Sequence, residues 1–323
     1  MTYTIDVHIS PEEVRRRMRA DAITGLQADS KAIPPVWFYD ERGSQLFEEI
    51  TRLPEYYPTR SERRLLEAYA PTIAELSKAD TLVELGAGSC EKTRILLSAL
   101  RQLGTLSTYV PFDISDEFLR DASSTLSVEY DPLAVHLVIG DFSEHLAQIP
   151  TDGRRMVAFL GGTIGNLDPP HRERFLFDLN CTMSSDDSLL LGTDLVKDPQ
   201  RLVAAYDDAA GITAQFNKNV LHVLNERLGG NFDPDLFAHV ALWNATEQWI
   251  EMRLRALEPS EVTLREADIA VRFAQGEDIL TEISAKFTPD RVQKELDAAG
   301  FVVDDMWGAN EGEFLLTLAH PYC

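Results

Sequence analysis

Cysteine is scarce in this chain of 323 residues, and Cys90, Cys181 and Cys323 are too far apart for a disulfide framework or a zinc pattern. They read as free thiols. The seven histidines form no HExxH and no clustered ligand spacing, so no metal is expected. No stretch approaches the ~18 uninterrupted apolar residues of a membrane span. The first twenty residues, MTYTIDVHISPEEVRRRMRA, carry acidic side chains where a signal peptide needs an apolar stretch. A cytoplasmic protein without a membrane partner is the expectation. Basic residues are few as well: 30 Lys and Arg stand against 53 Asp and Glu, a formal charge of −23. That balance has the wrong sign for neutralising phosphates along a nucleic acid. The expected partner is therefore a small molecule, with no nucleic acid and no obligate protein partner, and most of the carboxylates are assigned to solubility.

What is present suits a globular chain. Hydrophobic residues make up 44% and charged residues 26%, near the soluble average, and ~100–200 residues per domain suggests about two domains. Residues 12–29 have helical character. The segment 33–60, IPPVWFYDERGSQLFEEITRLPEYYPTR, is dense in proline and aromatics. It suits either an arm packing its aromatics on a core or a lid lining a substrate with Tyr39, Phe47, Tyr56 and Tyr57.

From Ser61 to Leu195 helices alternate with strands. The helices are read at 61–77, 91–103, 116–126, 143–148 and 170–183, and the strands at 81–85, 107–113, 134–141, 156–162 and 188–195. This rhythm predicts βαβ units on a parallel sheet, with ligands at the carboxyl ends of its strands. After Val196 the rhythm breaks. Helices near 199–209 and 213–227 precede strand-like runs at 239–245, 249–257, 261–265 and 268–274 with no crossover helices between them. Helix 288–299, with Thr288 as N-cap, Pro289 at N1 and Gly300 at its end, then restores the pattern before strands 301–307 and 313–319. The predicted fold class is α/β: a doubly wound core over 61–195 and 286–323, with a second, inserted α+β domain from 1–60 and 196–285.

The turn Val83-Glu84-Leu85-Gly86-Ala87-Gly88-Ser89 follows a strand and opens a helix, which is where a glycine motif carries meaning. An ordinary β–α turn would look the same. A dinucleotide fingerprint wants a small third residue at position 91, where this chain has Glu91, and a diphosphate would meet that carboxylate. S-adenosylmethionine (SAM) has no phosphate, and its amino-acid end carries an ammonium and a carboxylate. Glu84 suits the ammonium indirectly and Lys92 the carboxylate. Asp113 ends the second strand, where an acidic group accepts ribose hydroxyls. Asp141 and Phe142 end the third, placed to take the adenine amino group and flank its ring. Each acid alone could be a helix N-cap. In sequence order, the three strand ends resemble the class I methyltransferase pattern. The fourth strand runs into Gly161-Gly162-Thr163-Ile164-Gly165-Asn166, whose small residues leave space and whose Asn166 is either an amide donor or a turn residue.

LPEYYPTR (53–60), VELGAGSCEKTR (83–94), FLGGTIGNL (159–167), GTDLVKD (192–198), AYDDAAGITAQFN (205–217) and LTEISAKF (280–287) together resemble the histidine-specific Nα-methyltransferases of ergothioneine biosynthesis. The resemblance spans nearly the whole chain. It implies SAM held at Gly86, Lys92, Asp113, Asp141 and Phe142, and L-histidine held at Tyr56, Asn166, Tyr206, Glu282 and Ser284. One departure is the Ala87-Gly88-Ser89-Cys90 stretch, where the family loop is richer in hydroxyls. The implied activity is trimethylation of the α-amine of histidine to the betaine hercynine. Tyr39, or a water near Tyr56, is the candidate to carry away the proton that each transfer releases. Glu282 and Ser284, two apart on a strand, share a face and can grip both imidazole nitrogens, although Glu282 taken alone would read as a solvated strand carboxylate. Two rival expectations are methylation of another aromatic amino acid or amine, and a SAM-binding sensor without turnover.

Overall fold

A computed structural model of the chain describes residues 3–88, 90–114, 116–309 and 312–322. Ser89 of the glycine turn and Cys323 lie outside the described residues. In chain order the strands are β1 (Tyr3–Val7), β2 (Lys31–Ala32), β3 (Thr81–Leu85), β4 (Thr108–Asp113), β5 (Ala134–Ile139), β6 (Arg155–Phe159), β7 (Ser188–Asp194), β8 (Phe237–Asn244), β9 (Trp249–Ala256), β10 (Ser260–Leu264), β11 (Ile269–Phe273), β12 (Asp278–Ala285), β13 (Phe301–Gly308) and β14 (Phe314–Pro321). The α-helices are α1 (Pro11–Leu26), α2 (Glu41–Thr51), α3 (Tyr57–Ser77), α4 (Thr93–Leu103), α5 (Asp116–Glu129), α6 (Phe142–His145), α7 (Pro169–Thr182), α8 (Pro199–Ala204), α9 (Ile212–Leu228) and α10 (Pro289–Ala298).

Two compact units result. The first comprises Met1–Ile9, Pro58–Val196 and Lys286–Cys323. Its sheet runs β1-β5-β4-β3-β6-β7-β14-β13, with β14 antiparallel to both neighbours and every other pairing parallel. β3, β6 and β7 are buried along their whole length, as parallel strands covered on both faces must be, and they are correspondingly apolar. The helices between them are cut by identifiable caps. Asp168 accepts from the His171 amide at 2.9 Å and Pro169 opens α7, Thr288 accepts from the Arg291 amide at 3.2 Å to start α10, and Gly104 ends α4 in the left-handed region. Strand order reverses between β3 and β6, and a crevice at the carboxyl ends of these strands is where an open α/β sheet binds its ligand.

One boundary differs from the sequence reading, which grouped residues 1–60 with the second domain. Residues Tyr3–Val7 pair in parallel with Val135–Ile139 at the edge of the first sheet. A five-residue edge strand that alternates Thr4, Ile5, Asp6 and Val7 has too few apolar positions to announce itself. The expected helix 143–148 is also split, into α6 and a 3₁₀ turn at Leu146–Gln148.

The second unit comprises Ser10–Tyr57 and Lys197–Ala285. A four-stranded sheet in the order β2-β12-β9-β8 and the β10-β11 hairpin pack with α1, α2, α8 and α9. The apolar stripe of α9, Phe216, Val220, Leu221, Leu224 and Leu228, recurs at helical spacing and lies in the core of this unit. The packing described for 33–60 is seen: Trp37, Phe38, Leu46, Ile50, Tyr56 and Tyr57 join the same core, with Tyr39 and Phe47 partly buried against it. The arm also contains α2, capped by Asp40, which accepts from the Gly43 amide at 2.7 Å. Gly43 is required there, because a β-carbon would strike the carbonyl of Phe38.

Candidate active site

In the first unit the glycine turn leaves the end of β3 with Gly86 at φ +71° and Gly88 at φ +51°. These are left-handed conformations that glycine adopts without penalty. The Gly86 amide donates to the Phe112 carbonyl at 2.8 Å, which ties the turn to the end of β4, and the Gly88 amide donates to Asp113 Oδ2 at 3.1 Å. A β-carbon on Gly88 would meet nothing within 4 Å, and one on Gly86 only the rim of Phe142 at 4.0 Å. The turn is therefore a shallow cradle bordered by Asp113 and Phe142, which fits an adenosyl group lying across it. Phe142 is half-buried, edge-on to Phe159 at 5.3 Å and Phe175 at 5.9 Å, so its ring is held firmly. Asp141 caps α6, accepting from the Ser143 amide at 2.9 Å and the Ser143 hydroxyl at 2.6 Å. The cap that a local reading allows is thus real, and it fixes the direction of that carboxylate.

Two buried carboxylates lie beneath this turn. Glu84 accepts from the Tyr109 hydroxyl at 2.7 Å and from Thr93, and burial pushes its pKa up to about 7. The Thr93 and Tyr109 hydroxyls and the Lys92 charge oppose that rise, while Glu62 adds to it. Glu84 thus braces β3 against α4 and β4. Glu62, on α3, is fully buried, forms an ion pair with Lys92 and accepts from the Gly161 amide at 2.7 Å. It joins the Lys92 side of the cradle to the Gly161-Gly162 turn, both of whose glycines have positive φ. The sequence reading missed Glu62, although a signal exists. Positions 62, 65, 66, 69, 70 and 73 form one helical stripe in which every other member is apolar, and a carboxylate on an apolar stripe has a buried partner. Asn166 ends the 3₁₀ turn Thr163–Asn166 in this same unit and is half-buried.

In the second unit Tyr56, Tyr206, Glu282 and Ser284 are all buried. The Tyr206 hydroxyl and Ser284 Oγ share a hydrogen bond of 2.7 Å, and the Tyr56 ring stands edge-on to Tyr206 at 6.2 Å. Phe47 packs edge-on against Tyr56 at 6.2 Å and against Tyr39 at 5.9 Å, so the aromatic arm and the β12 residues form one wall. Tyr39 sits just beyond a 3₁₀ turn, also edge-on to Phe216 at 5.6 Å. Of the candidate residues, the five cofactor positions and Asn166 fall in the first unit; Tyr39 and the other four substrate positions fall in the second.

The sheet order, its single antiparallel strand, the glycine turn at the switch point and the acidic groups at the next two strand ends define a class I, Rossmann-like methyltransferase. Residues 18–321 match the family described as histidine-specific methyltransferase, SAM-dependent, and the chain belongs to that family. It is 50% identical over 319 residues to the histidine N-alpha-methyltransferase of Mycolicibacterium smegmatis, covering 99% of each chain. The identity to the Mycobacterium tuberculosis protein of the same name is also 50%, again over 99% of both. The L-tryptophan methyltransferase trpM of Psilocybe serbica is more distant, 26% identical over 97% of this chain and 96% of its own.

Proposed function

We propose that this chain trimethylates the α-amino group of L-histidine to hercynine in ergothioneine biosynthesis, with SAM as methyl donor. The observation that carries this reading is the 50% identity, end to end, to two histidine N-alpha-methyltransferases. The buried polar set on β12 supports histidine as the substrate. Glu282 and Ser284 offer a carboxylate and a hydroxyl to the two imidazole nitrogens, whereas an indole, with one N–H and no acceptor, strands one of them at a cost of about 1–3 kcal/mol. A cytoplasmic location is part of the proposal, supported by the free thiols of Cys90 and Cys181.

Gly86, Lys92, Asp113, Asp141 and Phe142 are assigned to SAM. When bound, SAM supplies an electrophilic sulfonium methyl. Asn166 and Tyr206 are assigned to the substrate carboxylate, which orients the amine, and Tyr56 lines the same end. Alignment of the amine supplies most of the acceleration in such a displacement. Free histidine arrives as an ammonium, so one proton leaves before each transfer, and Tyr39 or a water held beside Tyr56 is assigned to receive it. The small residues Gly161, Gly162 and Thr163 leave room for added methyls, and an aromatic face such as Phe47 tolerates a quaternary ammonium.

The test is incubation with SAM and histidine, tryptophan or phenylalanine, read by product mass. One, two and three methyl groups appearing on histidine, with little on the other two, is the expected result. Preferential methylation of tryptophan, or no transfer to any amino acid while S-adenosylhomocysteine still binds, overturns the reading.

A further inference from the structure

We infer that Thr281, Asn217 and His239 are specificity-positioning residues: together they hold a β-bulge in β12 that aims Glu282 and Ser284. The inference rests on the assignment of those two side chains to the imidazole of the substrate. In β12 the ladder to β9 slips at one point. Leu280 faces Arg253 and Glu282 faces Met252, so Thr281 is the extra residue. A bulge of this kind re-aims the side chains beyond it.

The bonds around Thr281 show what the bulge achieves. Thr281 Oγ1 lies 2.6 Å from Asn217 Oδ1 and 2.9 Å from the Met252 carbonyl. Asn217, on α9, donates through Nδ2 to the Arg253 carbonyl at 3.1 Å and to His239 Nδ1 at 2.8 Å. With Nδ1 accepting, His239 carries its proton on Nε2, which donates to the backbone carbonyl of Tyr206 at 2.8 Å. The Tyr206 hydroxyl in turn meets Ser284 Oγ at 2.7 Å. The chain of contacts thus leaves β12 at Thr281, passes through α9, β8 and the end of α8, and returns to β12 at Ser284.

One imidazole touches both Asn217 and Tyr206, so these two lie on the same side of the sheet. Thr281 and Ser284 both reach that side, although residues three apart on a regular strand point to opposite faces. Only the extra residue reconciles the two. The burial pattern agrees with the change of phase at the slip, where Thr281 and Glu282 are consecutive and both buried. Without the bulge, the strand beyond it would present its alternate residues to this side. Asn217 is 0% exposed and Thr281 1%, so loss of one hydroxyl leaves a buried amide oxygen without that donor. Burial also depresses the pKa of His239, in keeping with a neutral ring holding a fixed tautomer.

Thr281→Val keeps the shape of the side chain and removes the hydroxyl. Its KM for histidine should rise about tenfold, with kcat at saturating histidine within about threefold of wild type. The Kd for S-adenosylhomocysteine should be unchanged. The preference for histidine over tryptophan should fall, and Thr281→Ser should restore it. His239→Gln, a flexible side chain that cannot hold acceptor and donor at the fixed spacing of the imidazole ring between Asn217 and Tyr206, should move the same quantities in the same direction. Calorimetry of histidine binding to the protein saturated with S-adenosylhomocysteine gives a second readout. An unchanged KM and unchanged histidine preference in both variants overturns the inference. Parallel loss of S-adenosylhomocysteine affinity does so too, since it reports general damage. Should Thr281→Val fail to fold, His239→Gln and Thr281→Ser decide by the same criteria. The wild-type enzyme is assayed first. If it leaves histidine unmethylated, the functional reading fails and this inference with it, whereas a wild type active on histidine with indifferent variants sinks the inference alone.

Discussion

Replacing Glu84 by glutamine should stabilise the protein increasingly as the pH rises from about 4.5 to about 8. In the unfolded chain this carboxyl ionises near 4.5, whereas burial lifts it to about 7 in the folded one. Below 4.5 both states carry the proton and the group costs nothing. Between the two values the unfolded chain releases a proton that the folded state retains, so stability falls as the pH rises. Above about 7 the folded carboxylate is ionised as well and the loss levels off. The interval from 4.5 to about 7, at 1.36 kcal/mol per pH unit, amounts to about 3 kcal/mol. Glutamine is a stand-in for the neutral acid and keeps an acceptor for the hydroxyls of Thr93 and Tyr109. Its amide nitrogen adds an offset that does not vary with pH. The difference in unfolding free energy between Glu84→Gln and wild type should therefore grow by about 3 kcal/mol between pH 4.5 and 8, and all other titrations cancel. Urea denaturation at four pH values in that range is the assay. At about 2–4 °C per kcal/mol the change is also visible in thermal melts. A difference independent of pH would refute the reasoning, since it would mean that Glu84 is already ionised when the chain folds.

Asp113→Ala should weaken S-adenosylhomocysteine binding by about 10–100-fold in calorimetry, on the scale of hydrogen bonds to a charged group; equal affinity would move the ribose contact elsewhere. Glu282→Ala should lower kcat/KM for histidine by about 10–100-fold and that for tryptophan much less. A histidine-to-tryptophan ratio that stays put would make this carboxylate a structural strand residue. Lys286 and Asp194 form a buried ion pair at 2.9 Å, so Lys286→Met should cost about 3–5 kcal/mol of stability, and adding Asp194→Leu should recover most of it. A single variant costing less than about 1 kcal/mol would mean that the Asp194 carboxylate does not depend on Lys286.

The first unit was legible because its strands are continuous apolar runs separated by helices with readable ends: TLVEL, the Asp168-Pro169 start and the Thr288-Pro289 start each carry their signal locally. The candidate cofactor residues came with it, since a parallel sheet fixes which strand ends face the ligand. What escaped has the opposite character. β1 is short and half polar, and it finds its place through β5, some 130 residues away. In the 33–60 segment four prolines and the aromatics masked α2, whose buried face is short, only Gly43, Leu46 and Ile50. Glu62 reads as one more charge in a run of SERRLLE, because its burial is set by Lys92 and Gly161 rather than by its neighbours in the chain.

In β12 local alternation and the face presented to the rest of the unit come apart. Simple alternation over DILTEISA puts Leu280, Glu282 and Ser284 on one face and Ile279, Thr281 and Ile283 on the other, and the regular pairing of Glu282 with Met252 and Ser284 with Ile250 keeps those two on one side. The same rule separates Thr281 from Ser284, yet both reach the side held by Asn217 and Tyr206. No glycine or proline marks the slip, and the residues that hold it, Asn217 and His239, lie on other elements. A two-residue period can therefore identify which side chains share a side, because residues two apart keep their relation on either side of a bulge. It cannot say which face of the sheet they serve, because that depends on a contact more than sixty residues distant in sequence. On the proposed assignment of Glu282 and Ser284 to the imidazole, changes to substrate preference are to be sought at Thr281, Asn217 and His239 as well as at those two residues.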